Sequence, residues 1–582
     1  MSRQQLWRQV NAQLAAKIIG ECSYEESLCP QPLGEGRYQL ALASGRRYEF
    51  CARETVWSWL RVDAPSLRRE GMPVTSAVQL LIDAQQELAL SDITLGVLIE
   101  EIHNTLYSEV QRQQRIAGLS ARDMVAVAGP QLQALLDAHP KALANKGRMG
   151  WGAEDLQRYS PESASGFQLR LVALHRDRVN VAVARGVSEA QLLAQLVTGA
   201  EQQRLQQRMA EAGLCADAYL LMPVHPWQWQ RFIVSQYGEW LADGTLVDLG
   251  IGGDRYLPQQ SIRTLANIAR PGCCDIKLAL SILNTSCYRG VPGDSIAAGV
   301  QLTPWLRAVI AADPVLQAAQ LTVQGDLAGV HCLPPGQQQI AGTPYRYVEM
   351  LGAVWRESLE AQLRAGESGV LMSTLMQTDS GGRALVCEYV ADSGLSAEQW
   401  LRELFDAVVV PLYHLMCAYG VGVVAHGQNI SVVLRNGRPQ RAVLKDFHGD
   451  LRLVDQPFAQ LQSMPTELLA ALPRLPAQHL LHDLVTGHFV TTLRFISPLF
   501  EEQLQLPESA FYRLLADCLR DYQAAQPQLA ERHRLFPLFS KELDKVCINR
   551  VRFRIGYQDS AARPLPELGS AIANPLCLGE QP

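Results

Sequence analysis

The dipeptide Asn436-Gly437 constrains this chain more than any other short stretch. A two-residue hairpin turn needs positive φ at both central positions, which Asn and Gly supply most readily. Apolar runs at 430–434 and 442–444 flank it, so the sequence predicts a tight antiparallel hairpin. Such a hairpin brings the residues before its first strand beside those after its second. His426, Gln428 and Asn429 stand on one side and Asp446 on the other, although 20 residues separate His426 from Asp446. An imidazole, two amides and a carboxylate are therefore expected at one open end.

Mg2+ takes oxygen ligands, commonly one or two protein carboxylates plus phosphates. Asp446 suits that role, with Asn429 or Gln428 as a neutral oxygen donor or an adenosine contact. A loop ending in Asn, then a hairpin, then Asp-Phe is also the order around the metal site of protein kinases. The kinase glycine-rich loop and the Walker A string are both missing, so the likeness is one of arrangement. The plainer alternative is that these four groups only cap the hairpin's open end.

A second cluster comprises Ser261, Arg263, Thr264, Lys277, Thr285 and Arg289. The stretch 276–283 reads as a buried strand interrupted by Lys277, and a buried lysine requires an anion. Lys277, Thr285 and Arg289 share parity, so a strand would point them to one face. A straight strand from Lys277 to Arg289 would span roughly 40 Å, longer than any triphosphate. The chain must bend, with Asn284-Thr285-Ser286 the expected place, if both cations serve one ligand. Arg, Lys and hydroxyl groups are the expected clamp for phosphate oxygens. Taken alone, Arg263 reads better as an ordinary surface cation, whereas Lys277 inside an apolar strand does not.

A third cluster holds His139-Pro140, Lys146 and Arg148, with His225-Pro226-Trp227-Gln228-Trp229-Gln230 further on. Proline forces an extended backbone on the residue before it, which can hold His139 at a cleft. Lys146 and Arg148 are candidates for binding a polycarboxylate. Trp227 and Trp229 read as core or interface residues.

At 582 residues the chain exceeds what one hydrophobic core supports, and 48% apolar composition argues against disorder. A net charge of −6 disfavours a dedicated nucleic-acid binder. No run is long and apolar enough for a membrane span, and the N-terminus lacks signal-peptide order, so a cytoplasmic location is expected. The 13 cysteines form no C-x-x-C pair and no zinc spacing. Neither G-x-S-x-G nor H-E-x-x-H occurs, which weakens hydrolase and metalloprotease readings. The expected organisation is a multidomain α+β fold. Residues 1–135 form an α+β unit with helices at 6–20, 76–90 and 92–117 and strands at 47–51 and 56–62. Residues 136–392 are strand-rich with long loops. Residues 393–582 open on a helix from Ser396, capped with Gln399, to about 419, and then hold the hairpin and further helices.

Taken together, SIRTLANIARPG, DIKLALSILNTSCYRGVPG, VHPWQWQ, VVVPLYHLMCAYGV, AHGQN and LKDFHGDLRL resemble the NRPS-independent siderophore synthetases of the IucA/IucC family, over nearly the whole chain. The resemblance implies a cupped hand, with a thumb at 1–135, fingers at 136–392 and a palm at 393–582. It implies ATP and Mg2+ as cofactors, with a carboxylate activated as an acyl-adenylate and then attacked by an amine. On this likeness Ser261, Arg263, Thr264, Lys277, Thr285 and Arg289 match contacts to ATP phosphates and the carboxylate. His426, Gln428 and Asn429 match residues lining the nucleotide and acyl site. Asp446, with Asn429, matches the magnesium site. Arg289, His426 and Lys277 are the candidate catalytic residues, and His139, Lys146 and Arg148 the candidate substrate contacts.

Two positions depart from many members. Val424 stands where an acidic residue is common, and Ala142-Leu143 where a second His-Pro is common in citrate users. Both point away from free citrate and fit a monoamide of citrate or of succinate. The resemblance implies, first, a citryl monoamide of N6-acetyl-N6-hydroxylysine, coupled to a second N6-acetyl-N6-hydroxylysine to give a hydroxamate siderophore. A synthetase for succinyl-hydroxydiamines is the near alternative. The expected partners are small molecules only, and family members are often homodimers. A ferric-siderophore reductase is the alternative from another class. It would need four thiolates for a [2Fe–2S] centre, where Cys518, Cys547 and Cys577 are three and widely spaced.

Overall fold

The structure, a computed structural model, describes residues 2–127, 129–285, 287–291, 293–556 and 567–578. The first helix, Arg3–Tyr24, starts at a capping box formed by Ser2 and Gln5. It buries Val10, Leu14 and Ile18, while Leu6, on the same helical face, is partly buried. A small antiparallel sheet and the helices Ala77–Asp83 and Asp92–Ile116 complete this region. The strand predicted at 47–51 extends to Glu54. That predicted at 56–62 is confined to Leu60–Val62, because the chain turns at Ser58 with φ +52°.

The largest sheet has eight strands, every neighbouring pair antiparallel. Asp275–Leu278 lies inside it, where Lys277 is flanked by Thr264 on one side and Val354 on the other. The single strand predicted at 276–283 is in fact two. The chain leaves the large sheet after Leu278, and Leu280–Asn284 pairs with Cys287–Arg289 in a separate hairpin. The bend thus falls at the predicted place; Ser286 lies outside the described residues.

The hairpin set by Asn436-Gly437 pairs Ile430–Arg435 with Arg438–Leu444. Asn436 and Gly437 take φ +49° and +74°, the positive values that such a turn demands. Both hairpin edges are covered by strands from earlier in the chain, Glu367–Leu371 and Thr322–Val323. Open strand edges invite pairing, and no linker isolates this region, so the sheet is completed from the preceding one. The helix Ala397–Tyr419, with the predicted Ser396–Gln399 capping box, packs on this sheet, and Trp400 Nε1 donates to Gly437 O at 2.8 Å.

Late in the chain, Glu542–Cys547 pairs with Glu567–Ala573. A buried ion network ties these parts to the first helix. Lys141 Nζ lies 3.2 Å from Glu21 and 2.7 Å from Glu25, and Arg494 lies 2.8 Å from Glu21. Glu25 also accepts the backbone N–H groups of Ile548 and Arg550. The network fixes the chain beside His139-Pro140. Among the described residues no helix is long and apolar enough to cross a membrane.

The turn yields a stability prediction. A Cβ on Gly437 would sit 2.3 Å from Tyr389 O, whereas at Gly45, with φ +78°, it would meet nothing within 4 Å. Gly437→Ala should therefore destabilise by about 1–3 kcal/mol and lower the apparent melting temperature more than Gly45→Ala does. Equal shifts in thermal denaturation would show that the turn is not under this constraint.

Candidate functional site

The register of the 430–444 hairpin sets one wall of the site. Ile430 pairs with Leu444, so Asn429 meets Lys445, whose N–H donates to Asn429 O at 3.2 Å. Before the strand, residues 426–429 make a turn in which the Asn429 N–H donates to His426 O at 2.9 Å. Gly427 is required there, since a Cβ would lie 2.9 Å from Ser373 Cβ and 3.0 Å from its backbone nitrogen. After the second strand Asp446 adopts φ +64°, a conformation uncommon for a residue with a side chain. It starts the short helix Phe447–Asp450.

The facing wall is cationic. Between the strands Leu246–Pro258 and Thr264–Asn267 the chain turns tightly, with Ile262 at φ +60°. A β-branched residue there is strained, and such strain marks places where the surrounding structure dictates the backbone. The turn presents Ser261 and Arg263, and Arg263 donates to Gly290 O. Arg289 comes from the 280–289 hairpin, where Nη2 donates to Asn284 O at 2.9 Å and to Thr285 Oγ1. Thr285, at φ +62°, in turn donates to Asn284 O at 2.6 Å. This hairpin is anchored by Gln228, which is fully buried and exchanges hydrogen bonds of 2.8 Å with Ser281. Trp227 and Trp229 are core residues, as read from the sequence.

The two walls meet at Asp446. Its Oδ1 lies 2.6 Å from Lys277 Nζ and its Oδ2 2.9 Å from Arg356 Nη1, and Arg356 Nε also bonds Asp326 at 2.7 Å. Burial holds the Lys277 ammonium down at about 8, against the opposing pull of Asp446.

Ser261, Arg263, Thr264, Lys277 and Arg289 on the cationic side all line one cleft of about 1010 Å³ with His426, Gln428, Asn429 and Asp446. Thr285 does not line it and instead orients Arg289. His139 lies in an adjoining cavity of about 250 Å³ that shares His426 and Gln428 with the cleft; the two imidazole rings are 6.5 Å apart. Burial keeps both imidazoles uncharged, pushing His139 down to about 3. Each uses Nδ1 to accept backbone N–H groups, from Ala142 at 3.2 Å and from Gln428 at 3.2 Å. The proton of each neutral ring therefore falls on Nε2, leaving two N–H donors for this space.

Lys146 and Arg148 depart from their predicted role. Lys146 is paired with Glu109 at 2.7 Å and with Asp137, and Arg148 makes a bidentate pair with Glu162 at 2.7 and 2.8 Å. Both are buried and neither lines the cleft. The string was polar enough to suggest a ligand, but the protein supplies the carboxylates itself, from segments remote in sequence or beyond the glycine turn.

Sequence reasoning missed several polar cleft groups, Gln133, Gln259 and Tyr345 among them, and three more that lie near predicted residues. Lys445 and Asp450 both flank the Asp446 motif, and Gln260 adjoins Ser261. Lys445 was legible in principle, since the hairpin register sets it opposite Asn429. Asp450 restores a carboxylate near Val424, the position lacking an acid. Its backbone O accepts from Val424 N at 2.8 Å, and its Oδ2 from Asn429 Nδ2 at 2.9 Å. Asn429 Nδ2 also donates to Val424 O, which leaves the amide oxygen as its remaining donor atom for a metal. Asp446, Asp450 and Asn429 all line the cleft, and their oxygens are of the hard type that Mg2+ prefers. Among the described residues no cluster of three or more His, Cys, Asp or Glu forms a metal cage.

Asp446→Asn should cost the ligand-free protein about 3 kcal/mol, because it breaks a buried pair and strands positive charge. Inorganic pyrophosphate, an anion for those cations, should then raise the variant's apparent melting temperature more than the wild type's. Equal shifts in the two would remove Asp446 from the anion site.

Comparisons with known proteins agree over the whole length. Residues 132–377 match the IucA / IucC family, and residues 398–561 match the family described as ferric iron reductase FhuF-like transporter. Aerobactin synthase of Escherichia coli is 43% identical over 99% of this chain and 98% of its own. Aerobactin synthase of Vibrio mimicus is 38% identical over 98% of this chain and 97% of its own. The solved structure of aerobactin synthetase IucC from a hypervirulent pathotype of Klebsiella pneumoniae superposes with a TM-score of 0.90, at 40% identity and 99% coverage of both chains.

Proposed function

The chain belongs to the IucA/IucC family, and on that premise we propose that this siderophore-building ligase uses ATP to adenylate a carboxylate and then passes the acyl group to an amine. The observation that carries the reading is the single cleft in which Arg263, Lys277 and Arg289 face Asp446 and Asn429. The likeness to the two aerobactin synthases supports, as substrates, a citryl monoamide of N6-acetyl-N6-hydroxylysine and a second N6-acetyl-N6-hydroxylysine. Ala142 and Leu143, in place of a second His-Pro, fit a monoamide better than free citrate. A cupped-hand arrangement follows, with the cleft between the eight-stranded sheet and the 430–444 hairpin.

A carboxylate is a poor electrophile, and its oxygen must become a good leaving group before an amine attacks. Arg263, Lys277 and Arg289 bind phosphate oxygens as charge-assisted donors, while the hydroxyls of Ser261 and Thr264 add neutral ones. Asp446, Asp450 and the Asn429 amide oxygen would hold Mg2+, which would neutralise phosphate charge. Lys277 must let go of Asp446 for this, exchanging a protein carboxylate for a phosphate oxygen. The Nε2–H groups of His139 and His426 donate to the acyl substrate's oxygens and orient the attacking carboxylate, in a cavity that Pro140, Met376 and Gly427 close. Among the described residues none of those lining the cleft is a cysteine, and the amine takes the acyl group directly from AMP.

The match of 398–561 to a reductase family favours one other reading, release of iron at a [2Fe–2S] centre. Such a centre needs four thiolates, and this segment holds only Cys417, Cys518 and Cys547.

One experiment decides the chemistry. The purified protein, given ATP, Mg2+, the citryl monoamide and the amine, should release one AMP and one pyrophosphate per amide. Arg289→Ala should slow this by about 10²–10³ with little change in melting temperature, since it removes a donor to reacting oxygens. ADP and orthophosphate as products, with pyrophosphatase absent, would overturn adenylation. A folded Arg289→Ala with normal turnover would remove Arg289 from the chemistry.

A further inference from the structure

We propose that Lys445 is a further catalytic residue, whose ammonium group contacts the α-phosphoryl oxygens of the nucleotide while the cations of the facing wall hold the phosphates beyond. The inference rests on the adenylation reading above and assigns a position within it.

The cleft has a neighbour, a cavity of about 600 Å³ walled on its apolar side by Leu132, Val370 and Leu371. Thr264, Leu371 and Lys445 belong to both spaces, so the two join along these residues. A nucleoside triphosphate laid across the junction has a direction that chemistry dictates. Its base suits this cavity, where Leu132, Val370 and Leu371 offer an apolar wall, Gln133 and Thr374 offer polar edges, and the carboxylates of Asp275 and Glu360 repel phosphate; its outer phosphates suit Arg263, Lys277 and Arg289. The sugar and the α-phosphate then fall at the junction, where Lys445 is the cation.

Lys445 is also placed to accept an anion. Among the described residues no hydrogen bond or ion pair reaches its ammonium group. The carboxylates that attract it, Asp446 and Asp275, act at longer range: Asp446 is bonded directly to Lys277 and Arg356, and Asp275 accepts from the Gln324 amide at 3.1 Å. A lysine in a protein cleft without a partner carries a desolvation cost that a phosphoryl oxygen offsets.

In the first step a carboxylate oxygen attacks the α-phosphorus. A new P–O bond forms as the bond to the pyrophosphate's bridging oxygen breaks, and the electron pair leaves with pyrophosphate. Negative charge is concentrated on the α-phosphoryl oxygens throughout, and the Lys445 ammonium stabilises it without transferring a proton. Lys277, farther along, stabilises the departing group.

The test separates the two halves of ATP. AMP and inorganic pyrophosphate are titrated separately, by calorimetry, into the wild type, Lys445→Met and Lys277→Met. Lys445→Met should bind AMP about 10- to 100-fold more weakly, the effect of one hydrogen bond to a charged group, and bind pyrophosphate within about twofold of wild type. Lys277→Met should show the reverse. Retained pyrophosphate binding also proves that Lys445→Met is folded, and the same split in Lys445→Gln excludes a packing effect of methionine. Unchanged AMP affinity in Lys445→Met overturns the proposal, as does an equal loss for both ligands in both Lys445 variants. Failure of adenylation itself would appear separately, as ADP among the reaction products, with the binding split still reporting where Lys445 sits.

Discussion

The site depends on one ion pair joining two sheets. Lys277 projects from the middle of the eight-stranded sheet, and Asp446 follows the last strand of a hairpin in another; their charged atoms are 2.6 Å apart. Arg356 braces the same carboxylate from the large sheet and is itself held by Asp326. Desolvating such charges costs several kcal/mol per ion, so the arrangement is a poor device for stability alone. On the proposed reading it is a good device for keeping a space charged for phosphate, because the carboxylate would hold the cations in place until a ligand anion took over from it.

The rest of the molecule keeps these walls in register. Gln228 ties Ser281, in the hairpin that carries Arg289, to Met350 O, and Thr285 aims the guanidinium. The Lys141 network with Glu21, Glu25 and Arg494 fixes the backbone at His139, so that two neutral imidazoles face each other beside the cleft. Side chains locked in this way lose little freedom when substrate arrives, which is how preorganised sites convert binding into rate.

Much of the site was legible because the relevant signals are local. Asn436-Gly437 dictates a turn, the turn dictates a register, and the register brings His426 and Asn429 to Asp446. Lys277 in an apolar run needed an anion, and its distance from Arg289 needed a bend, which the 280–289 hairpin supplies. What stayed illegible depends on partners that only the fold brings together. Lys146 and Arg148 looked available for a ligand because nothing nearby reveals Glu109, Asp137 and Glu162 as their partners. The completion of the hairpin sheet by Glu367–Leu371 and Thr322–Val323 is likewise a tertiary choice. Single strands carry no mark of the sheet they join.

The central claim, that one cleft holds the nucleotide by exchanging a protein carboxylate for phosphate, is tested most directly by a crystal structure with ATP and Mg2+. The account predicts phosphate oxygens within hydrogen-bond distance of Arg263, Lys277 and Arg289, with the Lys277–Asp446 pair opened and Asp446 turned to the metal. A nucleotide bound elsewhere, or bound in this cleft with the Lys277–Asp446 pair intact, would contradict it.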